Sequence, residues 1–357
     1  MDSIDQGPPL NLADDWRRGE APADCPCLFA EEYGRLRLLS PSLELLHDYG
    51  AVGPVDCPIA YDFKRRMAFR YVCASGAQRG DFSQLRAFSI DRRESFSIKD
   101  LPPNQWALWL LEWVPGADDG GQLFGLVATD RPNDAQVVIE HRLFSYKPGA
   151  AAIRPRALCR DAYKPLALSR QRRELVFSGA DGIYLLNLRG ERKLTLPSEC
   201  PATGFGAAFD PTGQARVILG GDGLHLWDLQ TNHHRRLTRN GRHPVWALDG
   251  RSIFYRESSG DLFLYDLRKD RTRKVMSFGV QRHPEFWHAR PVVLSPCGHF
   301  LAASLSEKVL RGVSRKTSID AKPEKVFVDS HMLVVLDLTQ RTYWMRLGHA
   351  NHLRWTA

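Results

Sequence analysis

The sequence predicts an all-β fold: a seven-bladed β-propeller of four-stranded antiparallel blades, its ring closed by the C-terminal strand joining the N-terminal blade. Three observations predict it. A segment made of a Gly/Asp turn, an apolar strand ending in Asp or Asn followed by Leu, a polar turn and a basic strand recurs along the C-terminal half. Its copies are spaced at the length of one blade. The intervening sequence is short apolar runs punctuated by Gly, Pro and Asp, with no sustained 3.6-residue periodicity that would argue for long helices.

The clearest copies are GGDGLHLWDLQTNHHRRLT from Gly220 and SSGDLFLYDLRKDRTRKV from Ser258. GADGIYLLNLRGERKLTL from Gly179 carries Asn in place of Asp, and HMLVVLDLTQRTYWMRL from His331 is a fourth copy. The equivalent positions are Asn187, Asp228, Asp266 and Asp337, so the separations are 228−187 = 41, 266−228 = 38 and 337−266 = 71 residues. The first two fit a blade of four strands, about 40–45 residues; the last is one blade plus an insertion. Two further short strands precede each copy. They are split by turns such as Asp210-Pro211-Thr212-Gly213, Asp249-Gly250 and Ser295-Pro296-Cys297-Gly298, where Pro and Gly supply the backbone angles of tight turns.

The N-terminal half is looser. One blade is expected around residues 54–101 and another around 104–158. Only three strands remain near the N-terminus, CLFAEE, YGRLRLL and LELLHDY, and HLRWTA (His352 to Ala357) is expected to supply the missing innermost one. Such a split blade removes free sheet edges. Residues 1–27 read as an N-terminal extension, and 28–357 as one propeller domain with an insertion at about 306–330. Trp16 is a candidate to pin the extension across the disc. Trp106, Trp109 and Trp113 are expected as fillers between blades, in preference to a helical partner face.

Trp227-Asp228 stands where WD repeats carry their Trp-Asp dipeptide. The turns at Ser295 and Asp210 resemble the Ser-Pro-Asp-Gly turn of TolB-like repeats. The chain therefore resembles the WD-repeat and TolB-like propeller superfamily, from about Tyr163 to Leu347. That resemblance implies a rigid disc whose loops vary freely, and a non-catalytic protein-interaction scaffold is the expected function. Oligogalacturonate lyases of related architecture bind a metal near the channel through His ligands, so the resemblance also implies an alternative, a metal-dependent lyase or hydrolase at the channel mouth.

Composition narrows the field. The chain has 357 residues, 43% of them hydrophobic, with a net charge of +8. That is ample for a large core. No run of about 18 apolar residues suggests a membrane span, and MDSIDQGPPLNLADDW lacks the form of a secretory signal. Seven scattered cysteines, of which only Cys25 and Cys27 lie close together, read as reduced thiols in a cytoplasm. The Arg excess is interleaved with acids and accompanies no nucleic-acid signature, so Arg-mediated nucleic-acid binding stands only as a second alternative. No nucleophile elbow, P-loop, dinucleotide fingerprint or zinc-protease motif occurs, so neither a catalytic residue nor a cofactor is assigned.

Two groups of residues carry chemical options. His243, His288, His349 and His352 each fall at or just before an expected innermost strand, where several imidazoles would converge on one mouth of the channel and hold a divalent metal. Hydrogen-bonded rim histidines are the plainer reading. The insertion carries Arg311, Arg315, Lys316, Lys322 and Lys325. It is expected either as a disordered or self-packed hairpin extension or as an arm docking a protein partner with an acidic surface.

Overall fold

The computed structural model describes residues 11–12, 17–18, 26–52, 58–73, 82–100, 105–116, 121–133, 136–147, 154–159, 162–179, 182–197, 206–257, 261–277, 292–314, 324–347 and 350–356. They form thirty strands in seven sheets, each built on a four-stranded antiparallel blade, with no helix among the described residues. Two short N-terminal strands, β1 (Asn11–Leu12) and β2 (Arg17–Arg18), come first. Next come β3 (Leu28–Glu32), β4 (Arg35–Leu39) and β5 (Leu45–Ala51) of blade 1. Blade 2 is β6 (Ala60–Asp62), β7 (Met67–Cys73), β8 (Phe82–Ser89) and β9 (Glu94–Asp100). Blade 3 is β10 (Gln105–Pro115), β11 (Gly121–Asn133), β12 (Gln136–Tyr146) and β13 (Arg154–Cys159). Blade 4 is β14 (Ala162–Ser169), β15 (Glu174–Gly179), β16 (Gly182–Asn187) and β17 (Arg192–Thr195). Blade 5 is β18 (Ala207–Phe209), β19 (Arg216–Gly220), β20 (Leu224–Asp228) and β21 (His233–Arg236). Blade 6 is β22 (Arg242–Trp246), β23 (Ser252–Arg256), β24 (Leu262–Asp266) and β25 (Arg271–Ser277). Blade 7 is β26 (Val292–Leu294), β27 (Phe300–Ser314), β28 (Glu324–Asp337) and β29 (Thr342–Leu347). The last strand, β30 (Ala350–Trp355), pairs antiparallel with β3, Leu28 opposite Trp355, and becomes the innermost strand of blade 1.

Each blade buries both faces, because alternate side chains of a strand point to opposite sides of the sheet. In blade 5, Leu219 and Trp227 pack toward blade 4, while Ile218, Leu224 and Leu226 pack toward blade 6. Seven hydrophobic clusters fill the seven seams between blades, including the one between blades 7 and 1, which closes the ring. Trp355 lies in that last seam with Phe300 and Trp344, and its Nε1 donates to the Val293 carbonyl (3.0 Å). Trp113 fills the seam between blades 2 and 3 as expected, stacked on Phe69 at 5.3 Å. The side chains of Trp106 and Trp109 lie outside the described residues.

The two short N-terminal strands lie on the outer edges of two neighbouring blades. β1 adds a fifth strand to blade 6 by pairing with β25, and β2 adds one to blade 7 by pairing in parallel with β29. Trp16 lies outside the described residues. The insertion in blade 7 is a continuation of β27 and β28, paired from Leu305–Met332 out to Ser314–Glu324. The neighbouring strands stop short of it, β26 at Ala303 and β29 at Met332, so the outer part is a two-stranded ribbon.

Candidate functional site

The inner strands of the seven blades run side by side around a central channel, and their outward-turning residues go to the seams. On β10, Leu111 and Trp113 pack into the seam with blade 2, which turns the intervening Glu112 the other way. On β30, Leu353 and Trp355 pack toward blade 7, which puts Arg354 and His352 on the opposite face. The Glu112 carboxylate receives a two-pronged contact from Arg354, Nη1 to Oε1 at 2.7 Å and Nη2 to Oε2 at 3.0 Å. Arg170, directly after β14, adds Nη2 to Oε2 at 2.7 Å and Nε at 3.2 Å. Blades 1, 3 and 4 are thus tied together around one carboxylate. The Arg170 guanidinium lies 5.0 Å from the ring of Phe63, which follows β6 of blade 2.

One carboxylate against two guanidiniums gives this cluster of three side chains a surplus positive charge. Burial pushes the Glu112 carboxyl above its usual range, while the Arg354 charge and hydrogen bonds beside it pull the other way. The three side chains keep 16–25% of their surface exposed, so a ligand in the channel can reach them. A planar guanidinium pair suits a carboxylate, and a carboxyl with raised proton affinity suits proton transfer.

The predicted histidines are distributed differently. His352 sits on β30, two residues before Arg354 and therefore on the same face. His243 sits on β22 of blade 6, at positive φ (48°) where the pairing with β23 is irregular. A methyl group on Gly206, which precedes β18 of blade 5, would come within 3.3 Å of the His243 Cα. His352 thus shares its strand with Arg354 of the Glu112 cluster, whereas His243 stands on a different blade. His288 and His349 lie outside the described residues. Among the described residues no three His, Cys, Asp or Glu side chains gather as a ligand set. Of the basic insertion residues, Arg311 and Lys325 lie on the paired strands of the ribbon, while Arg315, Lys316 and Lys322 lie outside the described residues.

Sequence reasoning missed Glu112, Arg170 and Arg354. One signal was available: Glu112 is the single charge in WALWLLEWV. A carboxylate in such a run needs a partner wherever it is buried.

A closed propeller with a charged channel is the class that fold and site define. No family model matches the chain, and no curated protein matches it. Among solved structures it is similar to an oligogalacturonate lyase from Vibrio parahaemolyticus, at 11% identity and a TM-score of 0.56, over 81% of this chain and 85% of that one. It is also similar to an oligogalacturonate lyase in complex with manganese, at 12% identity and a TM-score of 0.55, over 83% of this chain and 93% of that one. At that identity the likeness is one of fold. It nevertheless corrects the expectation of a WD-repeat scaffold, because these neighbours are lyase propellers and not WD-repeat proteins. The reason is visible in the turns. Asp228 accepts the backbone N–H groups of Gln230 and Thr231, and Asp266 and Asp337 do the same two and three residues on. The recurring Asp is turn chemistry that any four-stranded blade can use, and it carries no functional information.

Proposed function

We propose that the chain is a propeller enzyme acting at its channel on an acidic, uronate-bearing oligosaccharide by β-elimination. The observation that supports this reading is Glu112 held between Arg354 and Arg170 in the channel. In such a reaction the proton on the carbon next to the uronate carboxylate is removed, and the electron pair forms a carbon–carbon double bond. The glycosidic oxygen departs with its bonding pair and takes up a proton. Charge builds on the carboxylate as the proton leaves. Arg354 and Arg170 are the groups to neutralise it, and Glu112, displaced from one guanidinium by the substrate carboxylate, is the group to accept the proton. The lyase activity named for both structural neighbours agrees with this assignment.

The test is incubation of the full chain with trigalacturonate, with and without manganese, following the ultraviolet absorbance of the unsaturated product. Product formation is expected, with Glu112→Gln lowering turnover on the order of 10²–10⁴-fold at unchanged folding. Absence of product under both conditions, or full turnover by Glu112→Gln, would overturn the assignment.

A further inference from the structure

Between blades 3 and 4 lies a cavity of about 470 Å³ that belongs to no part of the channel site. Phe124 and Phe144 of blade 3 form one side, both almost fully buried. Arg172, Arg173, Arg189 and Lys193 of blade 4 form the other. We propose that this cleft is a binding site for a small polyanion bearing two or more carboxylate or phosphate groups.

The argument rests on how the cations are held. Glu174, 4% exposed, accepts from Arg172 Nε at 2.7 Å and from Lys193 Nζ at 2.8 Å. That single carboxylate fixes two of the four cations along the rim. Ser169 Oγ accepts the Arg172 N–H, and Asn187 Oδ1 accepts the N–H groups of Arg189 and Glu191, so both turns that carry the cations are locked at their backbones. Arg173 and Arg189 are exposed, and their guanidiniums make no hydrogen bond or ion pair among the described residues. Four cations around a concave space stand against two carboxylates, the buried Glu174 and the exposed Glu191, which accepts from Asn187 Nδ2 at 2.6 Å, and this leaves a net positive field that an anion would neutralise. The cavity volume is that of an ordinary small-ligand site. Arginine forks match carboxylate and phosphate oxygens in pairs, which favours a ligand with several such groups over a monovalent ion. The channel and the cleft use different side chains of the same turn: Arg170 points to Glu112, and Arg172 and Arg173 to the cleft.

Calorimetric titration of the full chain at low ionic strength tests this, with inorganic pyrophosphate and citrate as the two probes. At least one probe is expected to bind, with affinity falling as salt is raised. Arg173→Gln with Arg189→Gln should weaken it at least tenfold. Arg354→Gln, in the channel, should leave it unchanged. Loss confined to pyrophosphate identifies a phosphate ligand, and loss confined to citrate a carboxylate one. Arg173 also occupies a positive φ of 54°, so Arg173→Gly relieves the backbone there and should keep the melting temperature while weakening the probe. No binding of either probe, binding indifferent to the double substitution, or binding abolished by Arg354→Gln would each overturn the proposal.

Discussion

His225 shows how much one buried side chain can add to the pH response of the whole chain. It lies on β20, 1% exposed, and neither ring nitrogen has a hydrogen-bond partner among the described residues. His234 sits 6.0 Å away, Arg236 is directly opposite across the strand pair, and Asp222 is the one acid whose charge acts on it. Burial first, then the charges of Arg236 and His234, pulls the imidazole down to about 4. The folded state therefore refuses a proton that the unfolded state accepts at about 6.5. The stability that the neutral His225 contributes is therefore fully present above about pH 6.5 and is lost as the pH falls toward 4. Urea midpoints measured across that range should decline, and the decline should shrink in His225→Leu; an equally steep decline in the variant would assign the effect to other groups.

At the scale of the element, strand length and turn chemistry separate the common framework from what is particular to this chain. Asp or Asn after the third strand accepts backbone N–H groups in blades 4, 5, 6 and 7, which is why that position recurs in the sequence. The ribbon of blade 7 departs from the common length. From Leu305 to Ser314 it pairs only with its own return strand, so it stands about 30 Å beyond the sheet. Because it covers neither β26 nor β29, replacing residues 309–327 with Gly-Asp-Gly should leave the melting temperature within a few degrees. Differential scanning calorimetry checks this, and a collapse of the transition would place the ribbon in the cooperative unit.

For the whole molecule, closure is the decisive event. Without β30 the first blade loses its innermost strand, and the channel loses Arg354. Trp355 is 2% exposed in the closing seam, and Cys27 and Thr356 exchange hydrogen bonds at 2.7 and 2.8 Å across the same junction. Trp355→Ala should cost about 3–5 kcal/mol, read as a shifted denaturant midpoint. Deletion of residues 350–357 should be more severe and expose sheet edges that aggregate. A truncated chain with an unchanged midpoint would mean that the ring is held by its other six seams alone.

The sequence by itself determined the blades, their number and the split closure. Strand period, turn residues and repeat spacing are local properties, and His352 to Ala357 could be matched to a blade short of one strand. Trp113 as a seam filler was legible for the same reason, since a large apolar side chain on a strand buried on both faces must face a neighbouring blade. The channel site was not legible. Glu112 stands 58 residues from Arg170 and 242 from Arg354, and no spacing rule relates such positions. Nor could the sequence reveal that Arg172 and Arg189 meet over a cleft. Only the tertiary structure decided these, because closing the ring sets which inner-strand faces share the channel, and that geometry depends on all seven blades together.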